Sequence, residues 1–289
     1  KSDYTTGPGE VMHMDLSTED FIAIRNLIYE RTGMHFGENK IYYFKKRLQK
    51  RMEINQLQKV SEYIKHLKFY DRDNREFQEL INLITINETY FFREFSQLEI
   101  FAEVCLPEVL EKKRAKSDPN LRIFSAACSS GEEPYTLAII LKEMLEDFHN
   151  WNVVVKGADI DENVIKQAQR GIYDSRSVKD VPPPYLEKYF SNPSPGRFMV
   201  NPEIRNMVVL EQLNLMERRA LRNERYYDFI FCRNMLIYFD EYSRKQLVEK
   251  FYAMLNKGGY IFLGHAESLS RISTAFKIKR MNGHLMYQA

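Results

Sequence analysis

Short apolar segments alternate with helical segments through the second half of the chain, and this alternation constrains the fold more than any other feature. Leu121–Ala126, Val153–Ile160 and Tyr227–Cys232 are each followed by a stretch of helical periodicity, and Tyr260–Leu263 follows the last helix. Strands that alternate with helices in this way predict a parallel sheet with helices on both faces. The fold class is therefore α/β, with a Rossmann-like, mostly parallel sheet.

The end of the chain departs from this alternation. Ala275–Ile278 and Leu285–Gln288 flank Asn282-Gly283, a dipeptide that favours a tight hairpin. We therefore expect a C-terminal antiparallel hairpin to close the sheet. By fold-level analogy this ending is usual for methyltransferases and unusual for dehydrogenases.

Two further regions differ from the α/β pattern. Residues from about Ser17 to Ile86 show only helical periodicity, which predicts a small all-helical domain. Several prolines, followed by the strand-like runs Arg197–Val200 and Met207–Leu213, predict a small β-insertion at about residues 172–212. The expected organisation is a helical domain over residues 15–88 and an α/β domain over residues 89–289.

Composition excludes several classes of protein. The formal net charge of +2 gives no general basic field, so a nucleic-acid partner is not expected. No apolar run approaches the roughly 20 residues that cross a bilayer, so we expect no membrane insertion. The three cysteines lie far apart, which favours a reducing, cytoplasmic location over a disulfide framework.

The first strand-to-helix turn points to a cationic ligand. Ligands of open α/β sheets bind at the carboxyl ends of the strands. This turn contains Gly131 as its only glycine and places Glu132 and Glu133 at the start of the helix, which does not suit a pyrophosphate. S-adenosylmethionine carries a sulfonium and an ammonium group, so one of the two carboxylates can hold the ammonium. Alternatively, both glutamates only complement the positive helix end.

Polar residues follow the other strands as well. Asp159 is a candidate for binding the ribose hydroxyls of an adenosine ligand, whereas Asp161 has the position of a helix N-cap. Arg233 and Asn234 come directly after an apolar strand, with Tyr238 one turn further, where each can contact a ligand or simply belong to the fold.

Together, Asn87–Arg93, Ser125–Tyr135, Ala158-Asp159, Asn214-Leu215 and Cys232–Asp240 closely resemble the chemotaxis receptor glutamate methyltransferases, the CheR family. The resemblance extends from about Asp15 to the end of the chain. It implies S-adenosylmethionine as cofactor, S-adenosylhomocysteine as product, and glutamates on the cytoplasmic helices of chemoreceptors (methyl-accepting chemotaxis proteins) as substrate. It also implies that Arg93 and Tyr238 lie near the transferred methyl. The residues it implies for the cofactor site are Asn87, Thr89, Arg93, Ala126, Glu132, Asp159, Asn214, Leu215 and Arg233 or Asn234.

The chemistry implied by the resemblance agrees with the residue types. A glutamate carboxylate is ionised at neutral pH, so it needs neither a general base nor a metal, and no metal site is expected. Arg93 would orient a carboxylate, while Tyr238 would donate a hydrogen bond or face the sulfonium. Two alternatives remain: methylation of another protein or a small acid, and an inactive cofactor-binding scaffold.

Substrate docking is expected on the second helix. Lys40–Arg51 contains six basic residues and no acid, which usually indicates only a solvated face. Given the resemblance, Lys46, Arg47, Lys50 and Arg51 are instead expected to dock an acidic receptor helix. The resemblance implies that family members which bind a receptor tether peptide carry a glycine-rich loop in the β-insertion. This loop has a single glycine, so we expect an enzyme that does not use a tether peptide. A monomer is the default expectation.

Overall fold

The computed structural model describes residues 16–269, 272–281 and 283–289, which form two compact units. One unit contains the described residues up to Leu27 together with Phe36–Ile84, and the other contains the described residues of Ile28–His35 and Thr85–Ala289. Asp15, the predicted start of the helical domain, lies outside the described residues.

The first unit is built from helices. The amide of Asp20 donates to the Ser17 hydroxyl at the start of the first helix, 3.0 Å away. Gly33 ends that helix in the left-handed region, with φ of 71°, a conformation that glycine adopts without strain. The helices are α1 (Thr18–Thr32, whose last turn belongs to the second unit), a 3₁₀ turn (Glu38–Lys40), α2 (Ile41–Ile54), α3 (Val60–Phe69) and α4 (Arg75–Ile84).

A buried ion pair lies inside the helical unit. Phe44 and Leu48 of α2 are fully buried, and Arg51 follows them on the same helix face. The Arg51 guanidinium contacts both carboxylate oxygens of Glu76 on α4, at 2.9 and 2.5 Å, and Tyr63 of α3 donates to the same carboxylate. This network joins three helices of the unit.

The second unit contains the sheets. No helix among the described residues is long and apolar enough to cross a membrane. The remaining helices are α5 (Phe95–Ile100), a π-helical turn (Phe101–Cys105), α6 (Leu106–Ala115), α7 (Glu132–Met144), α8 (Glu162–Arg170), α9 (Pro183–Tyr189), α10 (Pro202–Arg205), α11 (Glu241–Met254) and 3₁₀ turns at Phe148–Asn150 and Leu236–Tyr238. The strands are β1 (Asn120–Ala126), β2 (Asn152–Asp159), β3 (Ile172–Asp174), β4 (Phe190–Ser191), β5 (Arg197–Val200), β6 (Val208–Gln212), β7 (Tyr227–Cys232), β8 (Leu255–Leu263), β9 (Lys277–Met281) and β10 (His284–Gln288).

The main sheet has seven strands in the order β6-β2-β1-β7-β8-β10-β9. All neighbours are parallel from β6 to β8, whereas β10 pairs antiparallel with both β8 and β9. The predicted α/β fold with a terminal antiparallel hairpin is therefore confirmed. Asn282 of that hairpin lies outside the described residues, while Gly283 has φ of 79°.

The β-insertion differs from its prediction in one strand. β3, β4 and β5 form a separate antiparallel sheet. Val208–Gln212, which the sequence analysis assigned to the insertion, instead pairs parallel with β2 at the edge of the main sheet. The assignment was wrong because an edge strand with a half-polar face has the same local pattern as an insertion strand.

The core of the second unit fixes the strands that carry the site. The ring of Phe101 lies edge-on to Phe229, Phe231 and Phe262, with ring centroids 5.0 to 5.9 Å apart. All four side chains are fully buried. Edge-to-face packing of this kind stabilises β7 against β8 and against the helix above them, so the loops after these strands start from rigid positions.

Candidate functional site

The predicted polar residues lie at the carboxyl ends of neighbouring strands in the main sheet. β2, β1 and β7 are adjacent and parallel, so the loops that leave their carboxyl ends are neighbours. The chain proceeds from β1 to β2 on one side and later returns to β7 on the other side. Such a change of direction opens a crevice at the strand ends, where α/β proteins bind their ligands.

The loop after β1 contains three residues with left-handed backbone conformation. Ala127 and Ser129 have positive φ values, and Gly131 has φ of 93°. A Cβ at Gly131 would lie 2.7 Å from the Cβ of Ala168 on α8. Glycine is therefore required at this position to let α7 begin close to α8. Ala126, predicted at the cofactor site, is the buried last residue of β1.

Asp159 lies buried at the end of β2. One carboxylate oxygen accepts the amide N–H of Ser129 at 2.8 Å, and the other accepts that of Asp161 at 2.9 Å. Burial raises the pKa of Asp159 to about 6, although these hydrogen bonds favour the ionised form. Each oxygen retains a lone pair, so the carboxylate has the capacity to accept two hydroxyl groups.

Asp161 has a structural role. One oxygen accepts the amide N–H groups of Asn163 and Val164, which confirms the predicted N-cap of α8. The other oxygen accepts the side-chain amide of Asn87 at 2.7 Å and the hydroxyl of Thr85 at 2.8 Å. The amide of Asn87, a predicted cofactor residue, is thus committed to Asp161.

The segment around Asn87 also contacts the loop after β1. The backbone carbonyl of Asn87 accepts the Ser129 hydroxyl at 3.2 Å. Thr89, another predicted cofactor residue, is half-buried two residues further along. Asn87 therefore fixes this segment beside the crevice, whatever else it binds.

Glu132 and Glu133 lie in different environments although they are consecutive. Glu132 is 1% exposed and accepts the Ser130 hydroxyl at 2.7 Å, and burial raises its pKa. Within the described part of the chain, no Lys, Arg or His nitrogen lies within 4.0 Å of it. A buried carboxylate that lacks a cation is costly, so this group suits an ammonium ligand.

Glu133 instead belongs to an internal ion cluster. It accepts the Ser125 hydroxyl at 2.7 Å and lies 3.2 Å from the Arg233 guanidinium. Arg233 also lies 3.2 Å from the Glu94 carboxylate and donates to the Arg93 carbonyl at 2.5 Å. Arg233 has a 4% exposed side chain that these contacts occupy, so of the two predicted candidates Asn234 is better placed for a ligand.

Sequence reasoning missed Glu267, which organises the loop after β7. Asn234 has φ of 58°, and its amide donates to Glu267 at 2.9 Å, as does the amide of Gly264 at 2.8 Å. A Cβ at Gly264 would lie 2.9 Å from the Asn234 nitrogen, so glycine is required there. The available signal was a carboxylate just past strand β8, the same pattern that pointed to Asp159 after β2.

Removal of the Glu267 carboxylate should loosen the Asn234 loop. We expect Glu267→Ala to lower the free energy of unfolding by about 1–3 kcal/mol, because buried amides lose a charged acceptor. Urea denaturation measures this change. Glu267→Gln, which keeps one acceptor oxygen, should lose less. Equal stability of the wild type and the alanine variant would contradict the proposed anchoring.

Arg93 differs from Arg233 in having no acidic partner. Its guanidinium donates to the Glu88 carbonyl at 2.8 Å and lies 5.8 Å from the centroid of the Tyr90 ring. Over the residues that the structure describes, no carboxylate lies within 4.0 Å of it. Arg93 is half-buried, so it can bind an incoming carboxylate.

Tyr238 and the segment after β6 complete the predicted set. The Tyr238 carbonyl accepts the His35 amide at 2.8 Å, which fixes the backbone of this half-buried tyrosine. The Asn214 side-chain amide donates to the Arg31 carbonyl at 2.7 Å, and its oxygen accepts the Met216 backbone amide. The side chain of Asn214 therefore supports the fold. Leu215 is buried, and Lys250 donates to its carbonyl at 3.0 Å.

The predicted docking residues on α2 separate into two pairs. Lys46 and Lys50 are exposed. Arg47 instead stacks 3.4 Å from the ring centroid of Tyr43 and donates to a backbone carbonyl, and the side chain of Arg51 is 11% exposed in its ion pair. The docking hypothesis therefore depends chiefly on the two lysines.

Comparison with known proteins identifies the family. Residues 87–284 match the profile of the CheR methyltransferase SAM-binding domain, and residues 19–85 match that of the CheR methyltransferase all-alpha domain. The chain belongs to the CheR methyltransferase family. The resemblance found in the sequence is thereby confirmed, as is S-adenosylmethionine as the cofactor of this methyltransferase.

Relatives align with almost the whole CheR chain. It is 41% identical to chemotaxis protein methyltransferase 2 of Vibrio cholerae, covering 92% of this chain and 91% of that protein. It is 33% identical to the chemotaxis protein methyltransferase of Borreliella burgdorferi, covering 89% and 91%. It is also 35% identical to chemotaxis protein methyltransferase 2 of Pseudomonas aeruginosa, covering 88% of each chain.

Proposed function

We propose that this enzyme methylates glutamate side chains on the cytoplasmic helices of chemoreceptors, with glutamate methyl ester and S-adenosylhomocysteine as products. One observation carries the proposal beyond the family assignment. Arg93, which has no acidic partner among the described residues, follows the Asn87 segment, and that segment contacts the loop before the buried Glu132. The Glu132 carboxylate can therefore bind a cation, and the Arg93 guanidinium can bind an anion. The cationic methyl donor and the anionic glutamate acceptor fit these two sites.

The buried acids suit the cofactor. We infer that Glu132 binds the ammonium group and that Asp159 accepts the ribose hydroxyls, since both carboxylates lie at the crevice with unused lone pairs. The bound cofactor supplies an electrophilic methyl group. The other residues assigned to its binding are Asn87, Thr89, Arg93, Ala126, Asn214, Leu215 and Asn234, with Arg233 in a supporting role.

The acceptor needs orientation more than activation. Its carboxylate is ionised near neutral pH, so no side chain has to remove a proton. Arg93 would hold one carboxylate oxygen so that the other points along the line of transfer, and Tyr238 would complete the site. Fixing this geometry is the main catalytic contribution that the protein can make.

We assign receptor docking to residues 15–88 and methyl transfer to residues 89–289. The receptor helix would bind an exposed basic face at Lys46 and Lys50, and long-range attraction would raise its rate of encounter. We further propose that the enzyme acts as a cytoplasmic monomer and needs no nucleic acid.

The docking face leads to a test with a matched control. In the variant Lys46→Ala/Lys50→Ala, the KM for receptor should rise about fivefold or more, because each lost surface charge weakens binding by up to about 1 kcal/mol. The Kd of S-adenosylmethionine should not change. Lys65→Ala/Lys68→Ala removes the same charge from exposed positions of α3 and should leave KM unchanged. Equal effects of both double variants would contradict a specific docking face.

The proposed activity itself is tested with methyl-labelled S-adenosylmethionine and a chemoreceptor cytoplasmic fragment. Label should be transferred to the receptor and released as methanol by mild alkali, because esters hydrolyse under these conditions and N-methyl groups do not. Label that is stable to alkali would indicate another acceptor group.

A further inference from the structure

The segment that follows β3 lies against the site. The carbonyl of Ser177 accepts the Phe91 amide at 2.9 Å, and the side chain of Ser177 acts to lower the pKa of Glu132 against the effect of burial. Asp174 accepts the amides of Arg176 and Ser177, both at 3.0 Å, which holds the turn. The exposed residues of this segment are therefore presented beside both Arg93 and the buried carboxylate.

Lys179 belongs to this segment and shares an aromatic ring with Arg93. Its Nζ lies 4.3 Å from the centroid of the Tyr90 ring, and the Arg93 guanidinium carbon lies 5.8 Å from the same centroid. The ring attracts both cations through its quadrupole. Both positive groups are thereby held against one aromatic ring.

Among the described residues Lys179 has no acidic partner, in contrast to three other exposed lysines of this unit. Lys112, Lys166 and Lys188 each contact a glutamate at 2.6 to 2.7 Å. Over the described ranges, no carboxylate lies within 4.0 Å of the Lys179 Nζ. The neighbouring Glu88 carboxylate instead lies 3.7 Å from Arg176. Within the described part of the chain, Lys179 is thus an exposed cation that contacts an aromatic ring and no carboxylate.

The proposed substrate is a helix, and its geometry indicates which group would neutralise the charge of Lys179. Residues three or four positions apart lie on the same face of a helix, with neighbouring side chains. An acid at either spacing from the acceptor glutamate therefore approaches the enzyme together with the acceptor. Arg93 then binds the acceptor, and a second cation beside it is positioned for the neighbouring acid.

We propose that Lys179, Tyr90 and Arg93 form an acid-binding rim and that Lys179 selects receptor helices with an acidic residue three or four positions from the methylated glutamate. This inference rests on the proposed function and adds a specificity determinant in the methyltransferase unit. Lys179 acts in docking and takes no part in the transfer itself.

The test pairs an enzyme variant with a substrate variant. Lys179→Ala should raise the KM for a receptor fragment about two- to fivefold, and Lys179→Glu about tenfold, with kcat and the Kd of S-adenosylmethionine unchanged. A fragment whose acids three and four positions from the acceptor are replaced by glutamine should show the higher KM with wild-type enzyme and no further rise with Lys179→Ala. Lys257→Ala is the matched control, because this exposed lysine lies near the amino end of β8, whereas the site lies at the carboxyl ends of the strands.

The outcomes separate the inference from the function on which it rests. If wild-type enzyme labels the receptor and Lys179→Ala has an unchanged KM, the selection role is overturned while the proposed function stands. An equal rise in KM on the intact and the neutralised fragments would also overturn it, as would a loss confined to kcat. If wild-type enzyme puts no alkali-labile label on the receptor, the proposed function falls, and the inference falls with it.

Discussion

Replacing Arg233 with methionine should lower the free energy of unfolding by about 3–5 kcal/mol, the typical cost of removing one partner from a buried ion cluster. The guanidinium lies between Glu94 and Glu133, and both carboxylates would lose their cation. Burial already raises the pKa of Glu133, while Arg233 lowers it. Urea denaturation followed by circular dichroism measures the effect.

A matched control separates this effect from the loss of a positive charge. Arg176 is 83% exposed and lies 3.7 Å from its glutamate, so Arg176→Met should change stability by less than about 0.5 kcal/mol. Arg233→Met with wild-type stability would show that the two carboxylates do not need the guanidinium.

Replacing Asp159 with asparagine should raise the Kd of S-adenosylmethionine about 10- to 100-fold, since hydrogen bonds to a charged acceptor contribute about 1.5–3 kcal/mol. Isothermal titration calorimetry at neutral pH measures this. Asp180→Asn alters an exposed carboxylate in the same unit and should leave the Kd unchanged. An unchanged Kd for Asp159→Asn would remove this residue from the cofactor site.

The same carboxyl predicts a pH dependence. In the free enzyme its pKa is raised to about 6, and hydroxyl donors from the cofactor would stabilise the ionised form. Below pH 6 the free enzyme takes up a proton that binding must release, so the Kd should rise as pH falls, approaching tenfold per pH unit. Asp159→Asn should lack this component. An identical pH profile in both proteins would assign the titration to another group, such as Glu132.

The sequence predicted best where a local pattern determines the structure. β7 was predicted with its observed bounds, and the N-cap role of Asp161 follows from its position before α8. Long-range pairing was not visible in the same way. Val208–Gln212 needs β2 as a partner, and nothing in its local pattern distinguishes that pairing from a place in the insertion.

The same limit applies to the site. The sequence brought Arg233 and Asn234 forward together, but only the fold shows that Glu94 and Glu133 occupy the arginine. Arg51 is a second example, because its partner Glu76 lies on another helix. Glu267 was missed for a related reason. Its carboxylate accepts the backbone amide of Asn234, which lies in the loop after β7, and this long-range contact leaves no local pattern in the sequence.

Consecutive residues at the start of α7 show how one turn of helix can serve two purposes. Adjacent helical positions point about 100° apart. Glu133 therefore contacts Arg233 and supports the fold, while Glu132 is buried with no cation within 4.0 Å among the residues that the structure describes. The turn by itself left open which glutamate binds a ligand, whereas the family resemblance implied Glu132, and the structure favours Glu132.

The most direct test of the account is to locate the methyl group by mass spectrometry on a chemoreceptor fragment that has been incubated with this enzyme and S-adenosylmethionine. The account predicts that glutamate side chains gain the mass of one methylene group, and that replacing those glutamates by alanine abolishes the gain. Modification of lysine, arginine or a nucleobase, or an unmodified receptor beside enzyme that binds the cofactor, would contradict it.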